Sequence, residues 1–202
     1  MTSIELEGGF TRSSFILRGA LAAGAVYGAG AVAPFVSRSF AAVGTTDIEI
    51  LQFALGLERL ETAFYAAANK QAGLSGRVKE ISQEFFNHES KHTETIEDLI
   101  TALGAKPNPA AKAQFKGLSD EKSFLEMAVT LEETGISAYN GAAPAIESTD
   151  LIEAAGGIVQ VEARHAGALR MLAGQDPAPR AFDEALPPEQ ITQRVRPYLQ
   201  QS

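Results

Sequence analysis

Three histidines occur in this 202-residue chain, and two of them close the same short pattern: Glu89-Ser90-Lys91-His92 and Glu162-Ala163-Arg164-His165. On a helix, residues three apart lie on one face about one turn apart. Each stretch therefore aims a carboxylate and an imidazole at the same point. Two such motifs, joined by a single glutamate from each of two further helices, can hold two metal ions inside a four-helix bundle. The pattern calls for an inward glutamate ahead of each motif, and Glu58 and Glu132 meet that need.

Hydrophobic periodicity supplies the four helices. Helix A is expected over about Asp47 to Asn69, capped by Thr46 or Asp47, with Leu51, Leu55, Glu58, Thr62 and Tyr65 on one stripe. Helix B, about Gly76 to Leu103 after Ser75, carries Ile81, Phe85, Glu89, His92, Ile96, Leu99 and Leu103 in line. Helix C, about Asp120 to Asn140 with Ser119 as cap, aligns Leu125, Ala128, Glu132, Gly135 and Tyr139, and Gly141 and Pro144 mark its end. Helix D, about Asp150 to Leu172, aligns Ile152, Ala155, Val159, Glu162, His165 and Leu169. Residues 104–118, with Pro107 and Pro109, form a connection that reaches roughly 50 Å when extended. A helix of this size is roughly 38 Å long, so the connection can return along the whole bundle and leave helix C parallel to helix B. The tail, with a short helix expected from Pro188 to Leu199, should pack across one end.

The two halves repeat. Tyr65 follows Glu58 by the same interval that separates Tyr139 from Glu132, and each single glutamate precedes its Glu-x-x-His by nearly the same distance. Glu61 lies on a neighbouring apolar stripe with Leu57 and Phe64, which makes it the alternative to Glu58 as a ligand. Glu133 is expected as an outer neighbour of Glu132. His88 has Phe85, not a glutamate, three residues before it, and is expected to be structural or exposed.

Composition narrows the setting. The formal net charge is −8, and residues 1–42, with Arg12, Arg18 and Arg38 against Glu5 and Glu7, carry +1, so the acidity lies wholly in the body. An acidic body argues against nucleic acid as a partner. The chain has no cysteine, which excludes disulfides, zinc–thiolate sites and thiol nucleophiles. Arg12 and Arg18, the apolar run from Gly19 to Val36, and Ser39-Phe40-Ala41 mark residues 1–42 as an export signal. Thr11-Arg12-Ser13-Ser14-Phe15-Ile16-Leu17 resembles a twin-arginine signal, with Ser13 in place of the second arginine. The rival is an uncleaved membrane anchor, weakened by its many Gly and Ala residues. The organisation is thus a signal at 1–42, a four-helix bundle at 43–174 and a tail at 175–202, in a periplasmic or extracellular protein.

Four buried carboxylates without cations would be very unfavourable, and two divalent ions neutralise them. Oxygen-rich ligation with some imidazole suits iron or manganese better than zinc. Residues 46–174 resemble the ferritin-like superfamily of di-iron carboxylate proteins through Glu58 with Tyr65, Glu89-x-x-His92, Glu132 with Tyr139, and Glu162-x-x-His165. The segments Leu57-Glu58-Arg59-Leu60-Glu61-Thr62-Ala63-Phe64-Tyr65 and Ala138-Tyr139-Asn140-Gly141-Ala142-Ala143-Pro144 resemble, more narrowly, an exported bacterial ferritin-like family related to plant desiccation-related proteins. The resemblance implies an all-α bundle with a long crossover and a cofactor of two iron ions, with manganese as the alternative. It implies Glu89 and Glu162 as bridging ligands, and Glu58 and Glu132 as terminal ligands. His92 and His165 would take one ion each, with Tyr65 and Tyr139 as hydrogen-bond partners of the ligands. It also implies a ferroxidase- or peroxide-reducing oxidoreductase, with a manganese catalase-like enzyme and a non-catalytic, metal-stabilised stress protein as alternatives. The expected partners are O2 or peroxide, an external electron donor, and a second copy of the chain in a homo-oligomer.

The export expectation is checked by N-terminal sequencing of native protein. The mature chain should begin near Ala42, and retention of residues 1–30 would select the anchor instead.

Overall fold

The computed structural model describes residues 47–200. The export signal, its twin-arginine-like stretch, the anchor alternative and the Thr46 cap lie outside the described residues. The described chain is helical: α1 (Asp47–Gln71), α2 (Gly76–Ala102), α3 (Glu121–Ala142), α4 (Thr149–Leu172) and α5 (Pro188–Val195), with 3-10 turns at Ala143–Ala145 and Arg196–Tyr198. No described helix is long and apolar enough to cross a membrane.

α1 and α2 form one antiparallel hairpin, and α3 and α4 form the other. Thr62 faces Thr93 at 3.2 Å, and Arg59 reaches Glu97 at 2.7 Å, which fixes the register of the first hairpin. The second hairpin packs on it with α3 antiparallel to α1. Asp47 at the start of α1 accepts hydrogen bonds from the backbone of Glu147 and Ser148, while Phe64 near the end of α1 stacks on Phe124 near the start of α3. α2 and α3 are therefore parallel, as the long crossover requires. The crossover tracks α1 from its beginning to its end. Gln52 binds the backbone of Lys106 and Asn108, Arg59 donates to the Asn108 carbonyl, and Phe115 meets the ring of Phe64 at 5.3 Å.

Four local expectations change. The cap of α3 is Asp120, not Ser119: Asp120 accepts from the Ser123 amide at 2.8 Å and the Ser123 hydroxyl accepts from the Asp120 amide at 3.1 Å. A reciprocal box satisfies two otherwise unpaired amides, which a lone Ser119 cannot do. On α2 the inward stripe drifts after Ile96, so Ile100 is buried and Leu103 is 46% exposed. Seven-residue spacing slips around a helix that turns every 3.6 residues.

The tail runs along the flank of α3 and not across the end of the bundle. The Leu186 amide donates to the Ser137 carbonyl at 3.0 Å, and Ile191 and Val195 of α5 are buried in the core. The chain then pairs Leu199 with Ala113 of the crossover in one antiparallel bridge. Gly141, inside α3, permits this course. A Cβ there would lie 2.1 Å from the Leu186 carbonyl oxygen. Gly141 is required by a backbone approach and does not stop the helix.

Gly141→Ala should therefore destabilise the protein by about 1–3 kcal/mol, although alanine is the better helix former. Gly157 in α4 has open space around its Cα. Gly157→Ala should stabilise by about 0.4–1 kcal/mol. Urea melts of the two variants check this opposition of sign.

Candidate metal centre

The two larger apolar clusters of the core have a polar layer between them. One contains Phe64, Tyr65, Phe85 and Phe124, and the other contains Leu51, Leu55, Ile96 and Ile158. Into the layer between project Glu58 from α1, Glu89 and His92 from α2, Glu132 from α3, and Glu162 and His165 from α4. The four glutamates and His165 are buried, and the His92 side chain is 12% exposed.

The six side chains form two overlapping groups: Glu58, Glu89, His92 and Glu162, and Glu89, Glu132, Glu162 and His165. Within each group, one donor atom per residue lies within 4.8 Å of the others. Glu89 and Glu162 belong to both. His92 Nδ1 faces Glu162 Oε1 at 2.9 Å, Glu89 Oε2 at 3.2 Å and Glu58 Oε2 at 3.3 Å. His165 Nδ1 faces Glu89 Oε1 at 3.0 Å, Glu132 Oε2 at 3.3 Å and Glu162 Oε2 at 3.8 Å. One imidazole nitrogen cannot satisfy three carboxylates. Glu58 Oε2, Glu89 Oε1 and both oxygens of Glu162 accept no hydrogen bond of acceptable direction. Each inward nitrogen and the carboxylate oxygens around it form a donor set that could hold a metal ion.

The protonation balance reflects the same crowding. Burial, then the charge of Glu162, hold Glu58 well above the usual carboxylate range, and burial, then Glu132, do the same to Glu162. Burial and the charge of Glu89 push Glu132 up to about 8. Glu89 resists burial because the imidazoles of His165 and His92 face it, and it falls to about 2. Burial opposes the charged form of His92, but Glu162, Glu58 and Glu89 together push it up to about 12.

The tyrosines are crossed between the halves. Tyr65 of α1 donates to Glu132 of α3, and Tyr139 of α3 donates to Glu58 of α1. Each hydroxyl holds one oxygen of a single glutamate and leaves the other for the centre. Glu61, the alternative ligand, stands outside both groups. It is buried one turn beyond Glu58, with its carboxylate against Gly135: a Cβ there would meet Glu61 Oε1 at 3.1 Å. Burial, then Glu162, hold it well above the usual range. Glu133 faces outward to Arg170 and, at 4.0 Å, to Arg180.

His88 is the residue that the three-residue spacing missed. Its Nδ1 lies 2.9 Å from His165 Nε2, the nitrogen turned away from the carboxylates. Burial, then His165, lower its pKa, which favours a neutral partner. The available signal was its position four residues before His92, which puts it on the same helix face. Its counterpart in the second half is Val161, so only one of the two ligand imidazoles has this support.

His88→Ala should weaken one of two bound ions by about 10–100-fold and spare the other, since outer partners of histidine ligands contribute affinity on that scale. Calorimetric titration with Mn2+ should show one binding step weakened by that factor and the other unchanged.

The comparisons agree with this geometry. A family described as a ferritin-like domain matches residues 46–175. The chain is similar in fold to a crystal structure of a conserved hypothetical protein from Mycobacterium tuberculosis, with a TM-score of 0.58 and 18% identity, over 64% of this chain and 98% of that one. No curated protein matches. A bundle of two hairpins joined by a long crossover, with a carboxylate–histidine layer at its middle and a family match over that whole bundle, places the chain in the ferritin-like domain family.

Proposed function

We propose that this is an exported di-metal protein whose centre, of iron or manganese, oxidises Fe2+ or reduces peroxide. The observation that supports it most strongly is the pair of inward Nδ1 atoms, each facing three carboxylates, with Glu89 and Glu162 common to both. Four ligand carboxylates match two divalent ions in charge. When bound, such ions supply redox chemistry and share the charge of an oxidant. Two ferrous ions give two electrons, enough to convert O2 with two protons to hydrogen peroxide, or hydrogen peroxide with two protons to two waters.

The protein's own residues set the conditions. Tyr65 and Tyr139 hold the terminal carboxylates in place, and the apolar clusters exclude water from both ends of the layer. His92 is the ligand nearest solvent. With no cysteine in the chain, any thiol-based electron donor is external. The same oxygen-rich set also suits manganese, and a manganese catalase-like activity would release O2 from peroxide without a reductant.

The direct test is metal analysis after anaerobic loading with Fe2+ or Mn2+. Two ions per chain are expected, and near-zero content would overturn the proposal. Glu89→Gln or Glu162→Gln should lose both ions.

Stability against pH gives a further test. Unfolded glutamates titrate near 4.5, while Glu132 is raised to about 8, and Glu58 and Glu162 are raised as well. The metal-free fold thus binds extra protons, and its stability falls as pH rises from about 4.5 through 8. His92, raised from 6.5 to about 12, adds to the decline above neutral pH. Glu89, lowered to about 2, acts the other way, but only as pH falls from 4.5 towards 2. Metal competes with these protons, so its stabilising effect should grow with pH, to about 2.7 kcal/mol at a hundredfold excess over Kd. Thermal melts of metal-free and loaded protein should therefore diverge from pH 5 to pH 8.

A further inference from the structure

The two ends of the bundle interior are built differently. Beyond the carboxylate layer towards the end of α1, the core is filled with rings. Phe64 and Phe124 stack at 5.7 Å, Tyr65 meets Phe85 edge-on at 5.9 Å, and Phe115 closes on Phe64 at 5.3 Å. Towards the start of α1 the lining is mostly aliphatic, with several alanines and the rings of Phe53 and Tyr139, and it leaves an apolar cavity.

The cavity adjoins the centre. Leu51, Ala54, Ile96, Leu99, Ala155 and Ile158 line it. Ala54 precedes Glu58 by four residues, Ile96 follows His92 by four and Ile158 precedes Glu162 by four, so these residues form the next layer, about 6 Å along the axis. Tyr139 lines the cavity as well, and its hydroxyl donates to Glu58. At the outer end Leu99, Ile146 and Ala154 are partly exposed. The remaining polar lining group, the carboxylate of Asp47, is engaged by the backbone of Glu147 and Ser148.

We infer that this cavity is the entry and holding site for dioxygen, and that the oxidant reaching the centre from this end is O2 and not peroxide. The inference rests on the metal-centre proposal and names its substrate. An apolar lining gives water few hydrogen-bond partners and favours apolar guests. Hydrogen peroxide would have to shed its hydrogen bonds to water and find none on these walls, which is costly. Polar reactants have a separate approach at the partly exposed edge of His92.

The test uses the full chain loaded with metal. Crystals pressurised with xenon, an apolar probe of similar size, should show an atom between α1, α2 and α4 beside Tyr139. Ala54→Leu and Ala155→Leu, made separately, should each abolish that site and leave metal content at two per chain. In the same variants, oxidation of bound Fe2+ by O2 should slow by about tenfold, the effect of roughly 1.4 kcal/mol added to the barrier. Oxidation by hydrogen peroxide should not change. Absence of xenon would overturn the inference, as would density there for a longer molecule or for the chain's own first residues. So would variants that slow both oxidants equally, or neither. A protein that takes xenon but no metal would refute the centre itself, so the two failures are distinguishable.

Discussion

Burying a carboxylate removes it from water, and burying several side by side adds repulsion to that loss. In this bundle Glu58, Glu61, Glu89, Glu132 and Glu162 are all buried, and no lysine or arginine is among the buried residues described. The compensation is of three kinds. Tyr65 and Tyr139 donate to the terminal glutamates, His92 and His165 face the shared ones, and protons remain on groups that would ordinarily have lost them. None of these satisfies the oxygens that still lack a hydrogen bond. The apolar clusters on both sides are what keep the problem in place. They supply the folding free energy that holds an unfavourable polar layer together, and they exclude the water that would relieve it.

Much of this was legible in the sequence because its determinants are local. The Glu-x-x-His pairs need only helical spacing, and the repeated interval from Glu58 to Tyr65 and from Glu132 to Tyr139 favours Glu58 over Glu61, which also lies on an apolar stripe. The crossover was legible from length alone. What escaped depends on contacts between elements distant in sequence. The stripe places Tyr65 near Glu58, but only the antiparallel packing of α1 on α3 sends its hydroxyl to Glu132. His88 has no local partner, and its role depends on α4 lying opposite. Gly141 reads as a helix stop until the tail is seen pressed against it. The cap of α3 was displaced by one residue because Asp120 and Ser123 satisfy each other's amides, a gain that single-residue propensity does not register.

The halves are copies in their ligands but not in what surrounds them. Glu61 corresponds to Gly135 and His88 to Val161. The first replacement makes room, and the second removes a hydrogen-bond partner. Gly135 leaves the space that the Glu61 carboxylate occupies, and one ligand imidazole is braced while its twin reaches towards solvent. The two groups of potential ligands are therefore unequal in their surroundings.

The crossed tyrosines bear on how such a centre can be assembled. Each hairpin supplies the glutamate that the other hairpin's tyrosine holds, and each group of four donors draws on both hairpins. Neither hairpin can complete a site alone. Two identical hairpins brought together as separate molecules would meet this requirement, but every residue would then appear twice, and Glu61 would face a second Glu61 where it now meets Gly135. Joining the halves through the 104–118 crossover fixes their association at an effective concentration that no longer depends on protein supply. It also lets each half vary without altering the other, so a symmetric pair of sockets can become two sites with separate tasks.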